Sequence, residues 1–72
     1  MSPERDILLA RCAAIVGAPH LTEANNFVDV GGDSLTAIEI GVLLSEAYDR
    51  PVDFADVLTS GSFGELFAKL EG

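Results

Sequence analysis

Residues 27–48 read FVDVGGDSLTAIEIGVLLSEAY, and a change of pattern inside this stretch decides the fold. Up to Gly32 no periodicity is sustained. From Asp33 onward the apolar residues recur with helical spacing through SLTAIEIGVLLSEAY. Asp49, Arg50 and Pro51 end the run, because a residue that precedes proline avoids the helical region. The stretch therefore predicts a loop that feeds a helix opening at Ser34, with Asp33 placed to cap it. At about 100° per residue this helix divides its apolar side chains into two stripes. Ala37, Ile40, Leu44, Ala47 and Tyr48 form one, wide enough for a core, while Leu35, Ile38 and Val42 lie on the other side.

Upstream, residues 17–33 hold three glycines, Pro19, Thr22 and the pair Asn25-Asn26, which reads as a long loop. Loops of this length in compact domains are often functional. Leu21, Phe27, Val28 and Val30 are expected to pin it to the core. Before it, Ser2, Pro3 and Glu4 form a helix start: a side-chain cap, a proline whose missing N–H does no harm, and an early acid favoured by the helix dipole. That helix runs to about Val16, with Leu8, Cys12, Ile15 and Val16 on one face, and stops at Gly17.

Downstream, PVDFADVLTSGS holds one short turn of helix around residues 54–58. Ser62 with Glu65 makes a capping box, and Phe63, Leu66, Phe67 and Leu70 follow at i, i+3, i+4 and i+7. No stretch alternates with a period of two. The expected fold is all-α, a small four-helix bundle of three longer helices plus one short one, with a long first loop, in a single domain over residues 1–72. The leading Met and the lack of linker composition at either end give the expectation of a freestanding protein.

With 72 residues the chain buries only ~60% of the surface it exposes when unfolded, so its core is thin. A deep, water-free pocket holding several catalytic groups is hard to build at this size, which argues against an enzyme. The 49% hydrophobic content, spread along the whole chain, is that of a globular protein. Twelve acidic residues against four basic ones give a net charge of -8, which disfavours nucleic acid and anionic membranes as partners and favours basic protein surfaces. The same charge repels itself, so stability is expected to improve with salt. Cys12 is the lone cysteine; it can make no internal disulfide and reads as a small core residue. The N-terminus, MSPERDILLA, shows no basic region followed by a long apolar run, and the cytoplasm is the expected compartment.

The stretch with chemical promise is Gly31-Gly32-Asp33-Ser34-Leu35. Two glycines release the backbone, Asp33 can cap, and Ser34 opens a helix. A hydroxyl there is exposed near the positive end of a helix dipole, a setting that suits an attached phosphate. Taken alone, the five residues read better as a turn followed by a helix cap. Gly32-Asp33-Ser34-Leu35 also spells the nucleophile motif of a family of serine esterases, which need an aspartate-paired histidine late in the chain and a larger α/β sheet. Here His20 is the sole histidine and lies upstream in the Pro-containing loop, so it reads as a solvated residue. Asp29 and Asp33 in a glycine-containing segment suggest a calcium loop, but the ligand ladder and the closing bidentate glutamate are missing. A plain helical docking module, with no use for a modified Ser34, is the remaining alternative.

The longer run Phe27-Val28-Asp29-Val30-Gly31-Gly32-Asp33-Ser34-Leu35-Thr36-Ala37-Ile38-Glu39-Ile40 resembles the attachment motif of the peptidyl carrier (thiolation) domains of nonribosomal peptide synthetases, within the acyl carrier protein superfamily. The resemblance extends over essentially the whole chain. It implies that Ser34, flanked by Gly32 and Asp33, takes 4'-phosphopantetheine from coenzyme A through a phosphopantetheinyl transferase. The arm's thiol would then hold acyl or aminoacyl groups as thioesters in nonribosomal peptide or related natural-product biosynthesis. The partners it implies are that transferase, an adenylation enzyme, and condensation, tailoring or thioesterase enzymes, all acting on a monomer. The paired glycines favour the peptidyl branch over fatty-acid carriers. Asp33-Ser34-Leu35-Thr36-Ala37 also looks polyketide-like, and Val28 stands where the peptidyl family often has a second aromatic, so an acyl carrier of a polyketide or fatty-acid-like pathway is the alternative.

The second stripe of the Ser34 helix fits that reading. Leu35, Ile38 and Val42 border Ser34 and are flanked by Glu39 and Glu46, so apolar contact and negative charge meet beside the attachment serine. A module grasped in turn by several enzymes would present such a surface. The competing reading is that Ile38, or Leu43 in its place, packs under the long loop.

Overall fold

The computed structural model describes residues 4–72 and contains four helices, α1 (Arg5–Val16), α2 (Ser34–Tyr48), α3 (Phe54–Thr59) and α4 (Phe63–Glu71). The expected all-α bundle of three longer helices and one short one is what forms. Among the described residues the β pairing is a single isolated antiparallel bridge, Asn26 to Ser62. The expected Ser2 cap and Pro3 lie outside the described residues. Glu4 is one position earlier than its expected role: its carbonyl accepts from the Leu8 N–H at 3.1 Å, which makes it the extended N-cap, and the acid inside the first turn is Asp6. The helix ends where expected, at Gly17 in the left-handed region.

Leu8 and Cys12 of α1, Ala37, Ile40 and Leu44 of α2, Val57 of α3, and Phe63, Leu66, Phe67 and Leu70 of α4 converge on one core, with Leu21, Phe27 and Val52 contributed by the connections. Ile15 and Val16 pack half-buried at its edge. Burial pushes the Cys12 thiol up to about 12, so it stays protonated and unreactive in the interior.

The long loop is fastened at both levels of structure. Leu21 and Phe27 are buried and Val30 is half-buried, as expected. Val28 is 60% exposed, against expectation. The reason is local: residues 26–30 make a helical turn, closed by Val30 N–H donating to Asn26 O at 3.2 Å, so Phe27 and Val30, three apart, share the inner side and Val28 faces out. The loop backbone also serves α4. Phe63 N–H donates to Asn25 O at 3.0 Å and Gly64 N–H to Glu23 O at 2.9 Å. Ser62 accepts from Glu65 N–H at 3.2 Å, but the Glu65 carboxylate lies against Gly61 and does not return to Ser62, so the expected capping box is half made. With two loop carbonyls already serving α4's first N–H groups, the helix start is satisfied without the second half.

α3 packs on α2 through their connection. Val52 O lies 3.1 Å from where a Cβ on the buried Gly41 would stand, and the Ser45 hydroxyl donates to Gly41 O at 2.7 Å while accepting from Val52 N–H at 3.0 Å. A reciprocal Asp53–Asp56 capping box starts the short helix. The chain ends are joined by Arg5, whose guanidinium bonds Glu71 at 2.6 Å and Glu23 at 2.8 Å and lies 6.0 Å from the Phe67 ring centroid; Tyr48 donates to Glu71 at 2.9 Å.

Candidate functional site

The turn at residues 26–30 ends in a left-handed residue, Gly31, with φ 87°. Gly31 N–H donates to Val28 O and Gly32 N–H to Phe27 O, both at 3.1 Å, the bonding pattern of a Schellman motif. This motif brings its first and last residues together, and Gly32 accordingly lies on the Phe27 ring. The chain then enters α2 through Asp33, whose backbone is extended.

Asp33 and Thr36 form a reciprocal capping box. Thr36 N–H donates to Asp33 Oδ1 at 2.9 Å and Asp33 N–H donates to Thr36 Oγ1 at 2.8 Å. The Thr36 backbone and hydroxyl donors hold the Asp33 carboxyl below its ordinary value, so it is ionised. Ser34 is the first residue of α2 and is exposed. Among the described residues none hydrogen-bonds its hydroxyl. A primary alcohol exposed on a capped helix start is accessible to a group delivered by another protein. His20 is exposed in the long loop and makes no hydrogen bond to Ser34.

The outward side of α2 continues from Ser34. Leu35, Ile38 and Val42 are 65%, 50% and 54% exposed, and Glu39 and Glu46 are exposed with them. Leu43, the competitor for the position beneath the loop, is the half-buried one that packs on the core. The two stripes read from the sequence thus differ in burial as expected. Val28, within the turn at residues 26–30, and Phe54, which opens α3 at 47% exposure, add apolar surface. Phe54 was illegible because its spacing to Val57 and Leu58 is that of a core residue. The Phe27–Gly32 contact could have been read, since a glycine such as Gly31 at the end of a short turn signals a Schellman motif, which bonds the residue after it back to the one four earlier than the glycine.

The cations sit elsewhere in the chain. No Lys or Arg occurs between Arg11 and Arg50, a span that contains Asp29, Asp33, Glu39 and Glu46. Arg5 is held by two carboxylates, Arg50 donates to Leu70 O at 2.9 Å, and Lys69 reaches Asp56 at 3.4 Å. The Ser34 end of α2, where Asp33 and Glu39 are exposed beside Leu35 and Ile38, presents negative charge and apolar surface together, while Arg11 lies toward the other end, lining a pocket with Leu43 and Glu46.

The chain matches the family described as phosphopantetheine attachment site over residues 6–70. No curated protein matches it.

Proposed function

The chain belongs to the phosphopantetheine attachment-site family, and on that premise we propose that Ser34 is the residue that receives the arm. Domains of this family are non-catalytic carriers and the site of covalent 4'-phosphopantetheine attachment, working with a phosphopantetheinyl transferase and with catalytic partners. The observation that carries the assignment to Ser34 is its exposed, unengaged hydroxyl in the first turn of α2, directly after the Gly31-Gly32 turn. In loading, Ser34 Oγ forms a bond to the phosphorus that bears the pantetheine of coenzyme A. The phosphoanhydride bond breaks, the adenosine bisphosphate leaves, and the hydroxyl proton passes to the transferase. Ser34 is held at the helix start by the Asp33–Thr36 box, and Gly32 lets the chain before it lie close on the Phe27 ring. Once attached, the arm supplies a thiol on which acyl or aminoacyl groups are carried as thioesters.

The finer reading is a peptidyl carrier of nonribosomal peptide or related natural-product biosynthesis, supported by the paired glycines before Asp33-Ser34-Leu35. Leu35, Ile38, Glu39 and Val42 are the proposed grip for the transferase, for an adenylation enzyme and for condensation, tailoring or thioesterase enzymes. Its support is an apolar strip rimmed by acids beside Ser34. The test is to arm the protein with coenzyme A and a broad-specificity transferase and offer it in parallel to amino-acid adenylating enzymes and to malonyl transferases, with intact mass as readout. Aminoacyl adducts, released by hydroxylamine, are the expected result; malonyl adducts alone would move the chain to the polyketide or fatty-acid branch.

A further inference from the structure

Adjacent glycines precede Ser34, and the structure requires them for different reasons. Gly31 has φ 87° and open space around it, so its requirement is one of backbone torsion alone. Gly32 is constrained by a neighbour. A Cβ built there would stand 2.5 Å from Phe27 Cε1 and Cε2 and nearer still to Cζ. The ring is held in place: Phe27 is 2% exposed, meets Phe63 edge-on at 6.4 Å between centroids, and Phe63 meets Phe67 at 6.4 Å. Gly32 is also tied to the same residue by its N–H bond to Phe27 O at 3.1 Å.

We propose that Phe27 is a positioning residue for loading: its ring, seated in the aromatic core, is the floor on which Gly32 rests and sets where the first turn of α2 presents the Ser34 hydroxyl. Phe27 touches neither Ser34 nor the incoming group. It acts through Gly32 and the capped Asp33, the two residues that separate the ring from Ser34. A side chain at residue 32 lifts the turn off this floor and displaces Ser34 from the geometry a transferase requires, while the α2 surface that the transferase grips is untouched. The inference rests on Ser34 being the attachment residue.

The test measures transferase kinetics and melting for wild type, Gly32→Ala, Gly31→Ala, Phe27→Leu, the Gly32→Ala/Phe27→Leu double variant and Gly31→Ala/Phe27→Leu, at a temperature where all are folded. Leucine lacks the ring tip that a residue-32 Cβ would strike. Gly32→Ala is expected to lower kcat by on the order of tenfold to a hundredfold with little change in KM for the carrier. The Phe27→Leu change should restore most of that loss in the Gly32→Ala background and none of the loss in the Gly31→Ala background. If Phe27→Leu lowers melting below the assay temperature, Phe27→Met, which retains more core volume, replaces it. The inference is overturned if Gly32→Ala loads at the wild-type rate, if the double variant loads no better than Gly32→Ala, or if both glycine variants are rescued alike. A wild type that takes up no arm overturns the Ser34 assignment and this inference with it; a wild type that loads while rescue fails overturns the inference alone.

Discussion

At the scale of single residues, the ends of α2 are held by two aspartates in opposite circumstances. Asp33 caps the N-terminus, where the dipole favours its charge and Thr36 donates to it twice. Its folded pKa is therefore depressed, so the stability it contributes is fully present above its ordinary value of 3.8 and is lost as pH falls through the folded value. A side-chain carboxyl titration by NMR should place Asp33 below 3.8, and Thr36→Val should move it back toward that value. Asp49 ends the same helix with φ 52°, the one positive φ among the described non-glycine residues, and there its charge opposes the dipole. Asp49→Gly should stabilise the fold by roughly 0.5–1 kcal/mol, read as a raised denaturation midpoint, because glycine adopts this conformation without strain. The Asp33 cap was legible from type and position. The left-handed Asp49 was not, since nothing in Tyr48-Asp49-Arg50-Pro51 distinguishes a left-handed stop from an extended one.

Elements were legible to the degree that periodicity governs them. α2 and α4 carry sustained apolar repeats, and both were readable from spacing alone. The loop between α1 and α2 was half readable: Phe27 and Val30 face inward as expected, but Val28 turns out because three hydrogen bonds wind residues 26–32 into a turn that no side-chain pattern announces. The two stripes of α2 make a separable prediction. Ile40→Ala or Leu44→Ala, each emptying a fully buried site, should cost on the order of 2–5 kcal/mol, a large share of what so small a domain possesses. Leu35→Ala and Val42→Ala, both more than half exposed, should leave melting within a degree or two of wild type yet slow arming and aminoacyl loading. Thermal melts alongside loading rates on these four variants decide it. Low melting for the Leu35 and Val42 variants would mean that the outer stripe belongs to the core.

Across the whole molecule, charge is divided between a clamp and an open field. Arg5 joins α1 to Glu23, 18 residues away, and to Glu71, 66 residues away, separations at which no local pattern announces an ion pair. These partly exposed pairs lose strength in salt, whereas the net charge of -8 repels itself less in salt. The excess of acids should dominate, so melting temperature rises with added sodium chloride. Arg5→Met, which removes the clamp and deepens the negative charge, should lower melting and steepen that rise. A fall in wild-type melting with salt would show the clamp to outweigh the repulsion.

The same division leaves the Ser34 end of α2 acidic and apolar, and the proposed function of the chain comes down to one covalent event there. Intact mass after incubation with coenzyme A and a broad-specificity phosphopantetheinyl transferase reads that event directly. The expected result is a single phosphopantetheine added to the wild type, and none to a Ser34→Ala variant whose helical content and melting match the wild type. A wild-type mass unchanged by several competent transferases, or an adduct that persists in Ser34→Ala, would contradict it.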